Sequence, residues 1–210
     1  MTTPPNRRAL LLSLAGLAGL AGCGALGGGP TLEAFELRPP AAPPTAGRGL
    51  ARDLVVEVPE VGAALDTDRI MIRPNPLQAQ YLPGVRWTGS APGMVQTLML
   101  RTLQDANAFR YVGRRPLGPG ADFALVSELT DFQAELREGA PGPLIRVRLI
   151  ARLVREADAT VMASRSFQNT AEAASLDTFA VLTAFNAATD AQLTELSRWV
   201  LTRLGAAPTS

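Results

Sequence analysis

The 210-residue sequence contains no histidine, no lysine and only one cysteine, Cys23. Histidine is the most common general base and metal ligand, and a Ser–Lys nucleophile pair requires a lysine. One thiol cannot form a disulfide within its own chain. No glycine-rich phosphate-binding motif follows a predicted strand either. These absences argue against the common hydrolase and ATPase sites, so we predict no catalytic residues, no cofactor and no enzymatic activity.

Positive and negative charges are nearly balanced. The chain has 20 basic residues, all of them arginine, and 19 acidic residues, which gives a formal net charge of +1. A nucleic-acid-binding domain would be strongly basic, so nucleic acid is not an expected partner. Asp131, Glu135 and Glu138 lie close together in the sequence. We do not interpret them as a metal site or an acid pair, because no histidine is present and strand spacing divides them between two faces.

The N-terminal segment is typical of an export signal. Arg7 and Arg8 precede an uncharged run over residues 9–21, which is shorter than the roughly 20 apolar residues of a membrane-spanning helix. We therefore favour a cleaved signal peptide over residues 1–22, with an uncleaved membrane anchor as the alternative. The paired arginines also resemble a twin-arginine signal, so the choice between that route and the general secretory route stays open.

The end of this signal, Leu20-Ala21-Gly22-Cys23, resembles a bacterial lipobox. The resemblance implies that the Cys23 sulfur receives a diacylglycerol, that the chain is cut between Gly22 and Cys23, and that the new amino terminus is acylated. A small hydrophobic cysteine in an ordinary signal is the alternative. Because two or more acyl chains anchor a protein stably, we expect the mature protein to be attached to a membrane without spanning it.

Gly24 follows the cysteine directly. In enterobacterial lipoproteins an aspartate at this position retains the protein at the inner membrane, so Gly24 resembles an address at the periplasmic face of the outer membrane. We predict that the chain comprises four segments. They are a signal peptide over residues 1–22, a flexible tether over 23–32, a single α+β domain over 33–204 and a disordered tail over 205–210.

The clearest strand pattern covers residues 144–154. Apolar residues alternate there with Arg146, Arg148 and Arg152, which is typical of a half-buried antiparallel strand. Residues 160–167 are predicted to return as its hairpin partner. Further strands are predicted over residues 35–37, 53–59, 68–74, 109–112 and 121–136. Residues 74–92 contain four prolines and are predicted to form an ordered loop with one short strand.

Two helices are predicted from apolar residues that recur every three or four positions. The first begins near Ser90 with Pro92 in its first turn, a position that proline favours. The second covers residues 177–204, with Asp177 as its N-cap. The apolar face of the first contains Val95, Leu98, Met99, Thr102 and Ala106, and that of the second contains Leu182, Phe185, Leu193, Leu196 and Val200.

The order of these features resembles the ABC-type transport auxiliary lipoproteins, also called the PqiC type. The resemblance covers roughly residues 33–203 and follows a lipobox, and no single stretch of it is specific. The matching stretches are Phe35–Leu37, Leu54–Pro59, Asp68–Arg73, Tyr81–Trp87, Leu125–Phe132, Ala163–Phe167, Ala184–Ala187 and Arg198–Trp199. The resemblance implies an α+β fold, in which an antiparallel sheet carries two long amphipathic helices on one face.

The same resemblance implies a non-enzymatic role in lipid transport between membranes. Members accompany an inner-membrane ABC permease and ATPase and a periplasmic MCE-domain protein, and together these are thought to move phospholipid or other hydrophobic molecules. The lipoprotein is expected to contact the MCE protein at the outer membrane, with self-association into a ring as a further expectation. The alternative is a lipoprotein that regulates a periplasmic cell-wall synthase.

Two groups of residues are candidate contact sites. Arg146, Arg148 and Arg152 are candidates for contact with anionic headgroups or with a partner protein. A solvated arginine face that prevents edge pairing is the interpretation we favour. Trp87 and Trp199 are candidate interface anchors, but burial in the core is the favoured interpretation for both.

Overall fold

The structure is a computed structural model that describes residues 31–209. The predicted signal peptide and Cys23 lie outside the described residues. A compact unit from Glu33 to Ser210 contains every element below. Its strands are β1 (Glu33–Phe35), β2 (Thr45–Ala46), β3 (Leu50–Val56), β4 (Glu60–Val61), β5 (Met71–Asn75), β6 (Gln78–Tyr81), β7 (Val85–Trp87), β8 (Phe109–Gly113), β9 (Phe123–Glu135), β10 (Leu144–Arg155), β11 (Thr160–Glu172) and β12 (Pro208–Thr209). Its helices are α1 (Ala91–Asp105) and α2 (Thr178–Arg203).

The predicted α+β class is confirmed by one large, mostly antiparallel sheet with two helices. Its main strand order is β11-β10-β9-β3-β8, while β4 and β5 also pair with β9 and β6 pairs with β5. The long strands β9, β10 and β11 are antiparallel, whereas β3, β4 and β5 each pair with β9 in parallel. Apolar alternation alone does not report strand direction, so these parallel pairings were missed by the sequence analysis.

Both helices pack on one face of the sheet and contact each other. Helix α2 lies over β10 and β11, and α1 lies beside β3 and β8. The predicted apolar faces of both helices are buried throughout. Asp177 caps α2 as predicted, since its carboxylate accepts hydrogen bonds from the backbone N–H groups of Phe179 and Ala180. Ser90 occupies the N-cap position of α1 and makes no side-chain cap bond.

An aromatic cluster occupies the core between the sheet and α2. The ring of Phe185 lies 5.4 Å from that of Trp87 and 5.2 Å from that of Phe132. At the other end of the helix, Trp199 meets Phe167 edge to face at 5.6 Å. Trp87 and Trp199 are therefore core residues, as the favoured interpretation held.

A β-bulge at Thr130 changes which residues of β9 face the core. Leu149 of β10 lies opposite Leu129, but the preceding residue, Arg148, lies opposite Asp131, so Thr130 has no partner in the ladder. Core residues before the bulge have odd numbers, and after it they have even numbers, as in Phe132. The bulge thus keeps apolar side chains inward along the whole strand.

Two segments differ from the sequence-based expectation. Residues 74–92 contain two short strands, β6 and β7, rather than one. The segment 205–210, expected to be disordered, is ordered as far as Thr209, because β12 pairs with β2 and Ala206 is buried. Neither helix within residues 31–209 is both long enough and apolar enough to cross a membrane.

Candidate functional site

The predicted arginines of β10 lie on the sheet face that points away from the helices. Arg146, Arg148 and Arg152 alternate with side chains that are buried beneath α2, so strand geometry places them outward. They do not act as one cluster. Arg148 makes only a 3.4 Å contact with the hydroxyl of Ser166, and Arg152 makes no ion pair with any described residue.

Arg146 is held by a carboxylate on the neighbouring strand. Its Nε and one terminal nitrogen each donate to a different oxygen of Glu135, both at 2.8 Å. This two-point geometry is the strongest form of an arginine–carboxylate pair. The bonds from Arg146 hold the pKa of Glu135 below its ordinary value, with a further bond from Gln133 acting in the same direction. Glu135 is therefore ionised at neutral pH and is not available as a proton donor.

Gln133 lies between two carboxylates on the same face of β9. Its Nε2 donates to Asp131 at 2.9 Å and to Glu135 at 3.1 Å. The side chain is only 2% exposed, and its Oε1 has no hydrogen-bond partner in the described part of the chain. The two donated bonds fix the orientation of the amide, so Oε1 is an unpaired acceptor inside a charged site.

These residues line a cleft of about 540 Å³ at the end of the sheet where β9 ends and β10 begins. Strand β5 and the β9–β10 connection supply the other walls. The lining residues are Arg73, Asn75, Pro76, Asp131, Gln133, Glu135, Leu136, Arg137 and Arg146. None of them carries a hydroxyl or thiol nucleophile, and their charges suit the binding of a charged group.

Arg146 is the member of this site that was predicted from the sequence. Asp131 and Glu135 share a face and both line the cleft, because residues four apart in a strand point to the same side. The expectation that strand spacing divides the acidic residues was therefore wrong for this pair. Glu138 is exposed in the following turn. Within the described residues, no three acidic or cysteine side chains come together as a metal-binding group.

Arg73 and Arg137 were not predicted as site residues. Arg73 reaches the cleft because β5 pairs in parallel with β9, which places it opposite Glu135. No local pattern in the sequence predicts that pairing. A usable signal exists for Gln133, since the odd spacing between Leu129 and Phe132 in an otherwise alternating strand indicates a bulge. The predicted cleavage and lipidation residues Gly22 and Cys23 lie outside the described residues, so they remain predictions.

Solved structures show where this fold has been seen before. The chain is 28% identical to a Xanthomonas campestris protein of the family DUF330, with a TM-score of 0.69 over 82% of this chain and 94% of that one. A crystal structure of an uncharacterised protein gives a TM-score of 0.62 at 14% identity, over 81% of this chain and 99% of that one. The second likeness concerns the fold alone. No curated protein matches the chain.

The sequence profile of one family matches most of the folded domain. The family is described as the ABC-type transport auxiliary lipoprotein component, and the match covers residues 35–197. This range begins in β1 and ends in α2, so it includes the large sheet, α1, most of α2 and the charged cleft. The chain therefore belongs to the ABC-type transport auxiliary lipoprotein family.

Proposed function

We propose that this protein is a lipid-anchored, non-enzymatic component of an ABC- and MCE-type system that moves phospholipid or other hydrophobic molecules between two membranes. Lipidated Cys23 attaches it to the periplasmic face of the outer membrane, and the folded domain contacts the periplasmic MCE-domain protein. The observation that supports this most strongly is the family match over residues 35–197, which follows a lipobox in the same chain.

A tethered binding domain requires placement and a complementary surface rather than a reactive group. Eight residues separate Cys23 from Leu32, and such a segment spans at most about 28 Å when fully extended. The domain is thus confined close to the membrane, which raises its effective concentration toward a partner at the same membrane. A modest affinity is then sufficient for stable association.

Self-association into a ring is part of the proposal. Among the described strands, β11 pairs only with β10, and its other edge over Thr160–Glu172 carries unpaired backbone groups. Nearly all of its side chains are exposed or half-exposed. An edge of this length is a site where a second chain can add a strand.

The test is a pull-down of the tagged full-length protein from detergent-solubilised membranes. We expect to recover an MCE-domain protein together with its permease and ATPase. A matched control keeps residues 1–32, and so keeps the anchor, but lacks the folded domain, and it should recover none of them. Recovery of cell-wall synthases in place of the MCE protein would overturn the proposal and favour a regulator of cell-wall synthesis.

A further inference from the structure

One cation in the charged cleft is left without a partner. Arg146 is neutralised by Glu135, and Arg137 forms an ion pair with Glu172 at 3.0 Å. Arg73 makes no ion pair with any described residue, although it is close enough to help hold Glu135 in its ionised form. The guanidinium of Arg73 is therefore the group of the cleft that is free to bind an anion.

One carboxylate in the cleft lies near Arg146 but forms no ion pair with it. Asp131 accepts hydrogen bonds from Thr130 at 3.1 Å and from Gln133 at 2.9 Å, but it forms no ion pair in the described chain. Next to it lies the unpaired Oε1 of the buried Gln133. Both are acceptors, and together they favour a group with several N–H donors and a positive charge.

The free cation and the free carboxylate lie in a fixed order along the cleft. Arg73 is opposite Glu135, and Asp131 lies four residues earlier on β9, which corresponds to about 13 Å between backbone positions. The long side chain of Arg73 shortens this gap from one end. The arrangement matches a small zwitterion whose anionic group binds at Arg73 and whose ammonium group binds at Asp131.

Apolar surface lies only at the Arg73 end. Pro76 and Leu136 line the cleft beside Arg73, and the next hairpin residue, Leu77, is 98% exposed. Carbon atoms attached to the anionic group therefore have a surface to contact, whereas carbon atoms attached to the ammonium group do not. A ligand that fits the cleft therefore carries an apolar, an anionic and then a cationic group in that order.

We propose that this cleft binds a phosphoethanolamine group whose phosphate is esterified to a glycerol or acylglycerol. The phosphate pairs with Arg73, in the two-point geometry that guanidinium groups form with phosphate. The ammonium group donates to Asp131, and the glycerol lies against Pro76 and Leu136. The inference deepens the proposed function by naming a substrate class. It rests on that function only where it takes a lipid, rather than a soluble molecule, as the source of the phosphoethanolamine group.

The test is calorimetric titration of the full-length lipoprotein in detergent with glycerophosphoethanolamine and, separately, with glycerol 3-phosphate. Arg73→Gln should weaken binding of both probes by at least about tenfold, because it removes a charge-assisted contact. Asp131→Asn keeps an acceptor for Gln133 and should weaken only glycerophosphoethanolamine. Arg152→Gln, on the same sheet face but outside the cleft, is the matched control and should bind like the wild type.

The same titration with micelles that contain phosphatidylethanolamine distinguishes a lipid from a soluble source. Binding to these micelles, lost in Arg73→Gln, supports the lipid source. Binding of the soluble probe alone supports the site and identifies a soluble phosphodiester as its occupant. No binding of either form, or binding that Arg73→Gln leaves unchanged, overturns the inference. Circular dichroism must show that each variant is folded. If Arg73→Gln still recovers the MCE protein in the pull-down, the proposed function stands whether or not the cleft binds phosphoethanolamine.

Discussion

The Glu135 carboxyl on the outer face of the sheet contributes to the response of the domain to acid. The Arg146–Glu135 pair is half-buried, and the bonds from Arg146 lower the pKa of Glu135 from its ordinary value of 4.5. A carboxyl group whose pKa is lower in the folded state stabilises the fold above its ordinary pKa. That contribution is lost as the pH falls through the lowered value.

The first prediction follows from the lowered pKa of Glu135. The stability advantage of the wild type over Glu135→Gln should be full near about pH 6 and should shrink steadily toward about pH 3. Urea unfolding of both proteins, followed by circular dichroism across this range, measures the difference. Glu138→Gln, an exposed change three residues away, should unfold like the wild type at neutral pH. An advantage of the wild type that grows on acidification would contradict the prediction.

The second prediction concerns the start of α2. Asp177→Ala should lower the free energy of unfolding by about 1 kcal/mol, because the N–H groups of Phe179 and Ala180 lose their acceptor. Asp177→Ser is the matched control, since a serine hydroxyl accepts the same bonds and should retain most of the stability. Equal unfolding midpoints for Asp177→Ala and the wild type would show that the cap contributes nothing.

At the scale of secondary-structure elements, local sequence patterns predicted the helices but not the parallel strand pairings. The second helix was predicted over residues 177–204 and is found over Thr178–Arg203, and the first was predicted from its start near Ser90. Capping and the 3.6-residue period are encoded within a few neighbouring residues. The position of Arg73 depends instead on a contact with a strand about sixty residues away, which no local pattern encodes.

The third prediction tests the face that α2 buries. Phe185→Ala should lower the free energy of unfolding by about 3–5 kcal/mol, because it removes the ring that joins Trp87 and Phe132. Phe179 is the matched control on the same helix. It is 69% exposed and its ring lies 5.8 Å from that of Phe35, so Phe179→Ala should cost about 1 kcal/mol or less. Comparable losses for the two variants would contradict the assigned orientation of the helix.

At the scale of the whole molecule, the sequence predicts a lipid anchor that precedes the folded domain. The lipobox was predicted from four consecutive residues, and the family membership was predicted from the order of features along the chain and is confirmed. The charged cleft was found only in part. Its walls come from β5, β9, β10 and a connecting loop, so its composition depends on the completed fold rather than on any one segment.

The fourth prediction concerns attachment to the membrane. Cys23→Ser should abolish incorporation of radiolabelled palmitate and leave the protein either uncleaved or released from the membrane, because the thiol is the predicted acylation site. Labelling of wild-type and variant cells followed by immunoprecipitation measures this directly. Arg146→Gln serves as the control, since a change in the folded domain should leave labelling intact. Equal labelling of Cys23→Ser and the wild type would refute the lipobox.

The unpaired position of Thr130 means that β9 has one residue more than its ladder with β10 requires. The strand therefore tolerates the deletion of a residue best at this position. Loss of Thr130 itself would leave each remaining side chain on its present face and yield a regular ladder. Loss of Ser127, in contrast, would keep the ladder continuous only if Thr130 became paired and the bulge disappeared. Leu129 would then point toward solvent. Related chains that differ in length within the ladder of β9 are thus expected to differ at this position.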